Sequence, residues 1–263
     1  GAYTSALLAT GLGVPFWVAL PAAFIVTAVF GLLLGFPALK LSGHFLAVIT
    51  IAFGLIAHLV SINAEWLTGG ISGVPNIPRP SLAGHTLRDD VAYYYVVLAV
   101  LGGILAACDQ LIRSGFGRAL MAVRDDETAA ACMGVDVRVL KIQAFVLSAG
   151  IAGAAGSLYA HYVRYINPDS FTIDISIRVL IMMVVGGTGS LAGSLLGALT
   201  VYLMPEALRF MNEYYYLVFG AVVVGMVLFL PGGLVSLPGA LRGAGKRLRG
   251  ARRFATSAQR EAR

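Results

Sequence analysis

The sequence predicts an all-α fold: a polytopic bundle of about seven transmembrane helices, with one further helix on the cytoplasmic face. The first reason is composition, since 58% of the 263 residues are hydrophobic and only 12% are charged. The mean hydropathy of +0.83 exceeds what the core of a soluble domain of this size requires. The second reason is that segments 96–105 and 217–230 are apolar on every side, whereas the strands of a membrane β-barrel alternate apolar and polar residues.

Seven apolar segments are candidate spans, because a helix needs about 20 residues to cross a hydrocarbon layer roughly 30 Å thick. Two of them are short or interrupted by glycine. Together they predict a transmembrane domain over residues 1–232, followed by a basic cytoplasmic tail over 233–263. In chain order the candidates are 15–35, 44–62, 91–108, 142–163, 175–189, 191–210 and 214–231.

Short loops rich in Lys and Arg are retained on the cytoplasmic side of the membrane, so the positions of these residues predict the orientation of the chain. Thirteen of the 19 basic residues fall in the loop 109–141 or in the tail, so we expect both regions to be cytoplasmic. Four candidate spans lie between them, an even number, as this orientation requires. Residues 63–90 are then external, with 69–80 predicted to be an irregular loop because they are rich in Gly and Pro.

The loop 109–141 is an island of charge between two apolar segments. It holds ten of the 32 charged residues of the chain: Asp109, Arg113, Arg118, Arg124, Asp125, Asp126, Glu127, Asp136, Arg138 and Lys141. Its alanine-rich stretch 118–133 predicts a cytoplasmic helix, with Gly134 as its C-terminal cap and Asp136 capping the next helix. Such a helix, held between two spans, predicts contact with an aqueous partner protein. The alternative is a solvated connector.

Small residues recur every fourth position in the span 142–163, as Ala149, Gly153 and Ser157 and again as Ala152, Gly156 and Ala160. Because such rows allow helix backbones to approach closely in lipid, we expect this helix to have neighbours on two sides.

The run Gly186, Gly187, Thr188, Gly189 and Ser190 interrupts apolar sequence and predicts a break in a helix. Unwound backbone at membrane depth is tolerated where it lines a cavity, so these five residues are a candidate translocation path. The alternative is a tight re-entrant turn whose only role is close packing.

The sequence contains none of the catalytic or nucleotide-binding signatures sought. It lacks a G-x-x-x-x-G-K-[ST] loop, H-E-x-x-H and G-x-S-x-G, so any ATP must be bound by another chain. We predict no catalytic residue, no cofactor and no metal site, since the four histidines are dispersed. The basic tail predicts attraction to anionic lipid rather than to nucleic acid, because it lacks a folded face with stacking aromatics.

The chain is similar to the permease subunits of branched-chain amino-acid ABC importers over nearly its whole length apart from the tail. The residues that carry this resemblance are Leu39-Lys40-Leu41, Gly43-His44-Phe45, Ala52-Phe53-Gly54, Gly117-Arg118-Ala119-Leu120, Arg124, Glu127, Ala129-Ala130, Met133-Gly134, Lys141, Ala144-Phe145, Ser148, Ala152-Gly153, Ala155-Gly156, Leu158-Tyr159-Ala160, Asn167-Pro168-Asp169-Ser170-Phe171, Gly186 to Ser190, and Gly193.

The resemblance implies an inner-membrane import subunit that works with a second permease chain, two cytoplasmic ATPase subunits and a periplasmic substrate-binding protein. It implies that the island couples to the ATPase, and the candidate coupling residues are Gly117, Arg118, Arg124, Glu127, Ala129, Ala130 and Gly134. Leu, Ile and Val are the expected substrates, with urea or short amides as the alternative. Members of this family have further helices before the Gly1-Ala2-Tyr3 motif, and the chain lacks a signal-peptide layout, so we expect it to be part of a longer protein.

Two other classes of transporter remain as alternatives. An ion-coupled secondary transporter would use charged residues within the membrane, and only Asp174, Arg178 and Glu206 come close. A passive channel would show repeated pore-lining rings, and none is visible in the sequence. Transport by the purified protein without any ATPase would favour either alternative.

Overall fold

The computed structural model describes residues 1–38, 44–82, 85–86, 89–207, 218, 220–221, 223–225 and 233–236. Almost all regular structure within them is helical, which confirms the all-α class. The helices are α1 (Ala2–Gly11), α2 (Phe16–Ala38), α3 (His44–Asn63), α4 (Glu65–Thr68), α5 (Asp90–Arg113), α6 (Gly115–Asp125), α7 (Glu127–Cys132), α8 (Val137–Val163), α9 (Ile173–Gly186) and α10 (Leu191–Ala207). Two-residue strands β1 (Ser81–Leu82) and β2 (His85–Thr86) form an antiparallel hairpin.

The long apolar helices identify the protein as a multi-pass membrane protein. In the part of the chain that the structure describes, α2, α5 and α8 are long and apolar enough to cross a membrane. Helix α3 and the segment Glu65–Ser72 pass the same test together, which gives up to four spans, and the two meet at a bend of 79°. Only 6% of the most apolar part of α5 is buried within the chain, so this helix presents its apolar side chains to its surroundings.

The predicted count of seven spans is not confirmed. Candidates 15–35, 91–108 and 142–163 correspond to α2, α5 and α8, and 44–62 corresponds to α3. Candidates 175–189 and 191–210 become α9 and α10, which have 14 and 17 residues and are shorter than a full span. Most of 214–231 lies outside the described residues.

The chain forms two compact units, Gly1–Ile173 and Asp174–Arg263. In the first unit, α8 packs against α2 through its small residues. A Cβ atom on Gly153 would collide with the side chain of Thr27 and the carbonyl of Ala23, and one on Gly150 would meet the ring of Phe24. This contact confirms the prediction of close helix packing for the first row of small residues.

In the second row of small residues on α8, Ala152 is exposed, and Gly156 and Ala160 face α1. Gly156 lies against the backbone of Ala2, and Ala160 is fully buried in a cluster that also contains Ala2 and Ala6. Helix α8 therefore has neighbours on two sides, as its sequence predicts.

The segment between α3 and α5 is irregular over most of the predicted loop 69–80, as its Gly and Pro content predicts. It contains α4, a 3-10 turn at Gly70–Ser72 and the hairpin β1-β2. Val74 and Ile166 exchange backbone hydrogen bonds of 2.8 and 3.2 Å, which join this segment to the chain after α8. Residues 75–80 form neither helix nor strand, and these long-range bonds together with the burial of Ile77 hold them in place.

Candidate functional site

The charged island begins with a tight turn from α5 into α6. The Ser114 hydroxyl donates to the carbonyl of Leu111 at 2.6 Å and accepts from the Gly117 amide at 3.4 Å, so Ser114 is the N-cap of α6. A Cβ atom on Gly117 would collide with the backbone of Ile112. Gly117, a predicted coupling residue, is buried and serves this turn.

The structure corrects the prediction of one continuous helix over 118–133. The helix breaks at Asp126, whose backbone is extended, and α7 begins at Glu127. The Asp126 carboxylate accepts hydrogen bonds from the amides of Thr128 and Ala129 at 2.8 and 2.9 Å. Because aspartate satisfies the free amides at the start of a helix, it begins a new helix here instead of extending the old one.

The predicted end of the island helix is confirmed. Gly134 has a φ of +84°, which strains residues with a Cβ atom, and its amide bonds to the carbonyl of Ala131. The Asp136 carboxylate then accepts from the amides of Arg138 and Val139, both at 3.1 Å, and starts α8.

A small hydrophobic core holds the three helices of the island together. Val123 of α6, Ala130 of α7 and Leu140 of α8 are buried against one another. Phe116, Ala119, Leu120, Val135 and Val137 pack around them. Ala130, another predicted coupling residue, thus lies inside the island. The island is therefore a folded element continuous with the first turn of α8, which argues against a solvated connector.

An ion pair joins the outside of the same element. The Glu127 carboxylate lies 2.5 Å from the Lys141 Nζ atom and links α7 to α8. A second ion pair of 2.8 Å joins Arg124 to Asp125, its neighbour in the sequence. Both pairs are largely exposed, so each contributes about 1 kcal/mol at most.

The outer surface of the island carries the remaining predicted coupling residues together with two methionines that were not among the predicted coupling residues. Arg118, Arg124, Glu127, Ala129 and Gly134 are all exposed. Met133 is 84% exposed and Met121 is 40% exposed. Large apolar side chains on an otherwise charged surface are typical of protein contact sites, and methionine suits such sites because its side chain adapts its shape.

The glycine run forms the turn of a tight helical hairpin in the second unit. Helix α9 ends at Gly186 and α10 begins at Leu191, which confirms the predicted break. Gly187 and Gly189 have φ values of +108° and +91°. The Ser190 hydroxyl accepts from the Gly193 amide at 2.9 Å, so one freed amide of α10 has a partner within the turn.

The two helices of this hairpin touch through glycine. A Cβ atom on Gly186 would collide with the carbonyl of Gly193, and one on Gly197 would collide with the carbonyl of Met182. Gly186 and Gly187 are buried, whereas Thr188 and Gly189 are exposed. The close-packing interpretation accounts for Gly186, Gly193 and Gly197, and only the tip of the turn is accessible to a solute.

A buried polar network that the sequence analysis missed lies at the other end of α8. His161 is 1% exposed. Its Nε2 atom lies 2.9 Å from the Ser5 hydroxyl, which also accepts from the Ser157 hydroxyl at 2.7 Å. Its Nδ1 atom lies 2.7 Å from the Pro78 carbonyl. Because that carbonyl can only accept, Nδ1 donates, and in the neutral ring Nε2 accepts from Ser5.

This network connects α1, α8 and the segment before the β-hairpin. The only signal in the sequence was that Ser157 and His161 are four residues apart and so share one face of a helix. Nothing in the sequence indicated Ser5 or Pro78 as partners. Within the described residues, no three His, Cys, Asp or Glu side chains form a group that could hold a metal ion.

Comparison with known proteins gives consistent matches. A family model described as the permease component of branched-chain amino acid transport systems matches residues 1–227. The high-affinity branched-chain amino acid transport permease protein LivM of Escherichia coli K12 is 37% identical over 258 residues, covering 89% of this chain and 61% of LivM. LivM of Salmonella typhimurium is 36% identical with the same coverage.

A more distant relative is the autoinducer 2 import system permease protein LsrC of Salmonella typhi. It is 25% identical over 228 residues, covering 80% of this chain and 62% of LsrC. The chain thus spans a little over 60% of the length of these curated relatives. No solved structure matches.

Proposed function

Because this chain belongs to the family of permease components of branched-chain amino acid transport systems, we propose that it is the membrane subunit of an ATP-binding cassette importer that carries Leu, Ile and Val across the bacterial inner membrane. The observation that carries this proposal is the family match over residues 1–227. The identity of 37% to a branched-chain amino acid permease, against 25% to an autoinducer 2 permease, favours this substrate class.

The proposed partners are a second permease chain, two cytoplasmic ATPase subunits and a periplasmic binding protein. The island of α6, α7 and the first turn of α8 is the proposed ATPase contact, with Met133, Ala129 and Arg124 on its outer surface. Gly117 and Ala130 are buried within the island, and in this proposal they maintain its shape.

Helix α8 is the proposed route by which movement at the island reaches the rest of the bundle. It begins at Val137 within the island and continues without a break to Val163. Its length is about 40 Å, given a rise of about 1.5 Å per residue, which is enough to cross the membrane. Close packing along α1 and α2 supports transmission of a shift to these helices, because packed cores resist continuous deformation.

The orientation follows from the ends of α8. Lys141, Arg138 and Arg118 lie at the island end, so we place the island in the cytoplasm and His161 near the external face. The tail 233–263 is proposed to be cytoplasmic for the same reason, and most of it lies outside the described residues.

For the translocation path, we propose the tip of the glycine turn, Thr188 to Ser190, of which Thr188 and Gly189 are exposed. Gly189, with a φ of +91°, takes the backbone of this tip out of helical geometry. In a membrane, backbone groups outside helical hydrogen bonding require a partner or a hydrated cavity. Gly186 and Gly187 form the buried base of this turn.

The test is reconstitution of the full-length native protein with its neighbours, followed by uptake of radiolabelled leucine. ATP-dependent uptake that excess isoleucine and valine reduce would support the proposal. Uptake without ATPase subunits would contradict it and favour a secondary transporter or channel. Uptake competed only by urea or amides would retain the importer and overturn the substrate class.

Co-purification tests the coupling surface separately. Met133→Glu introduces charge on the outer surface of the island, and we expect it to reduce recovery of ATPase subunits severalfold. Leu12→Glu is the matched control, because Leu12 is also an exposed apolar residue, at 74%, but lies between α1 and α2. Equal recovery of ATPase subunits with both variants would contradict the proposal that the island contacts them.

A further inference from the structure

The segment that follows α3 turns sharply away from the direction of that helix. The axis of Glu65–Ser72 makes an angle of 79° with that of Val48–Asn63. Transmembrane helices tilt on average about 20° from the membrane normal. A segment bent this far from a spanning helix therefore runs close to the plane of the membrane.

This segment buries a polar side chain and exposes large apolar ones, the reverse of what is expected of a loop in water. Thr68 is 5% exposed, and its hydroxyl donates to the carbonyl of Ser61 at 2.6 Å. Gly70 is buried beside it. In contrast, Trp66 is 87% exposed and Ile71 is 72% exposed. Large apolar side chains exposed together mark a surface that contacts another protein or the membrane.

The exposed apolar surface continues into that of α3. Ile51, Leu55 and Leu59 are each about half exposed along this helix. Leu67, at 42% exposed, extends the same kind of surface past the bend. The exposed apolar side chains of α3 and those of the following segment therefore lie on both sides of the bend.

Other aromatic side chains mark the level of the membrane interface at this end of the unit. Trp17 lies in the first turn of α2, and its indole Nε1 donates to the carbonyl of Ser81 at 2.9 Å. Tyr94 and Tyr162 are exposed near the start of α5 and the end of α8. Trp and Tyr are enriched at the boundary between lipid and water, where an apolar ring and a polar atom are both accommodated.

We propose that the segment Glu65–Ser72 lies at the external membrane–water interface, with the side chains of Trp66 and Ile71 at the boundary between the lipid headgroups and the acyl chains. Lipid therefore covers this exposed apolar surface. The segment contains Glu65 and no Lys or Arg, so insertion depends on apolar area and not on anionic headgroups. This inference does not depend on the substrate or on the ATPase.

The two tryptophans of the chain allow a direct test. Trp17→Phe leaves Trp66 as the only tryptophan of these 263 residues, and the variant is reconstituted in phosphatidylcholine vesicles. Lipids brominated in the upper part of the acyl chain should remove roughly half of the Trp66 emission, and lipids brominated near the terminal methyl should remove less. Aqueous iodide should quench weakly. Trp66→Phe is the control and reports Trp17 alone.

Two results would overturn the proposal. Quenching by iodide as strong as in the unfolded chain would mean that the segment is surrounded by water. Protection from iodide and from both brominated lipids would mean that protein covers it, as in contact with a second copy of the chain. Ile71→Glu adds a check, since it should shift Trp66 emission to longer wavelength and weaken lipid quenching, whereas Ile71→Val should do neither.

Discussion

The Oε1 atom of Glu127 lies 2.5 Å from the Nζ atom of Lys141, and this ion pair joins the short helix α7 to the base of the spanning helix α8. The two residues are 14 positions apart in the sequence. Lys141 is 32% exposed and Glu127 is 59% exposed, so the pair adds about 1 kcal/mol or less to stability. Its importance is positional, because it joins the proposed ATPase contact to the helix that enters the membrane.

Reversing one charge of this pair should weaken transport more than it weakens folding. We expect Glu127→Lys to reduce ATP-dependent leucine uptake roughly fivefold, the factor that corresponds to about 1 kcal/mol, because two cations then face each other. Adding Lys141→Glu should restore most of the uptake by restoring the pair. Failure of the double variant to recover would indicate that Glu127 itself contacts the partner.

Removing the cap of α7 should loosen that helix without unfolding the bundle. Asp126→Ala removes the acceptor for the amides of Thr128 and Ala129, at a cost of about 1 kcal/mol. Hydrogen exchange of residues 127–133 should accelerate roughly fivefold. Asp125→Ala is the matched control, since Asp125 caps no helix and pairs only with Arg124 among the described residues. Equal acceleration in both variants would contradict the assignment of the cap.

The close contact between α2 and α8 should make Gly153 intolerant of any side chain. Gly153→Ala places a methyl group against Thr27 and Ala23, and we expect a loss of about 1–3 kcal/mol in the free energy of unfolding in detergent. Gly103→Ala on α5 is the control, because no atom lies within 4 Å of its added Cβ. Thermal unfolding followed by size-exclusion chromatography measures both, and equal stability of the two variants would refute the packing.

The His161 network should hold residues 74–80 against the bundle. His161→Leu leaves the Pro78 carbonyl without its donor and the Ser5 hydroxyl without the acceptor for its proton, and each such loss in a buried site costs about 1–3 kcal/mol. We therefore expect faster proteolysis and hydrogen exchange across 74–80. Tyr162→Phe changes the exposed neighbouring residue and should leave both rates unchanged. Unaltered exchange in His161→Leu would show that the Val74–Ile166 bonds suffice.

The class of fold, the spans α2, α5 and α8 and the ends of the island followed from sequence because their causes are local. Apolar length determines whether a helix crosses the membrane. Gly134 and Asp136 act on amides and carbonyls within a few residues of themselves, so their sequence positions predicted their roles. The small-residue rows of α8 were also visible, since helical spacing alone places them on shared faces.

Tertiary structure decided what depended on contacts between distant residues. The break at Asp126 has a local cause, its cap on α7, but the packing of Ala130 against Val123 and Leu140 is a tertiary contact that the alanine-rich sequence does not indicate. His161 meets Ser5 across 156 residues and Pro78 across 83, separations at which sequence patterns give no pairing. The bend after α3 leaves Trp66 outside and Thr68 inside because the Thr68 hydroxyl bonds back to Ser61. In each case the sequence determines which residues are present, and three-dimensional packing determines which of them come into contact.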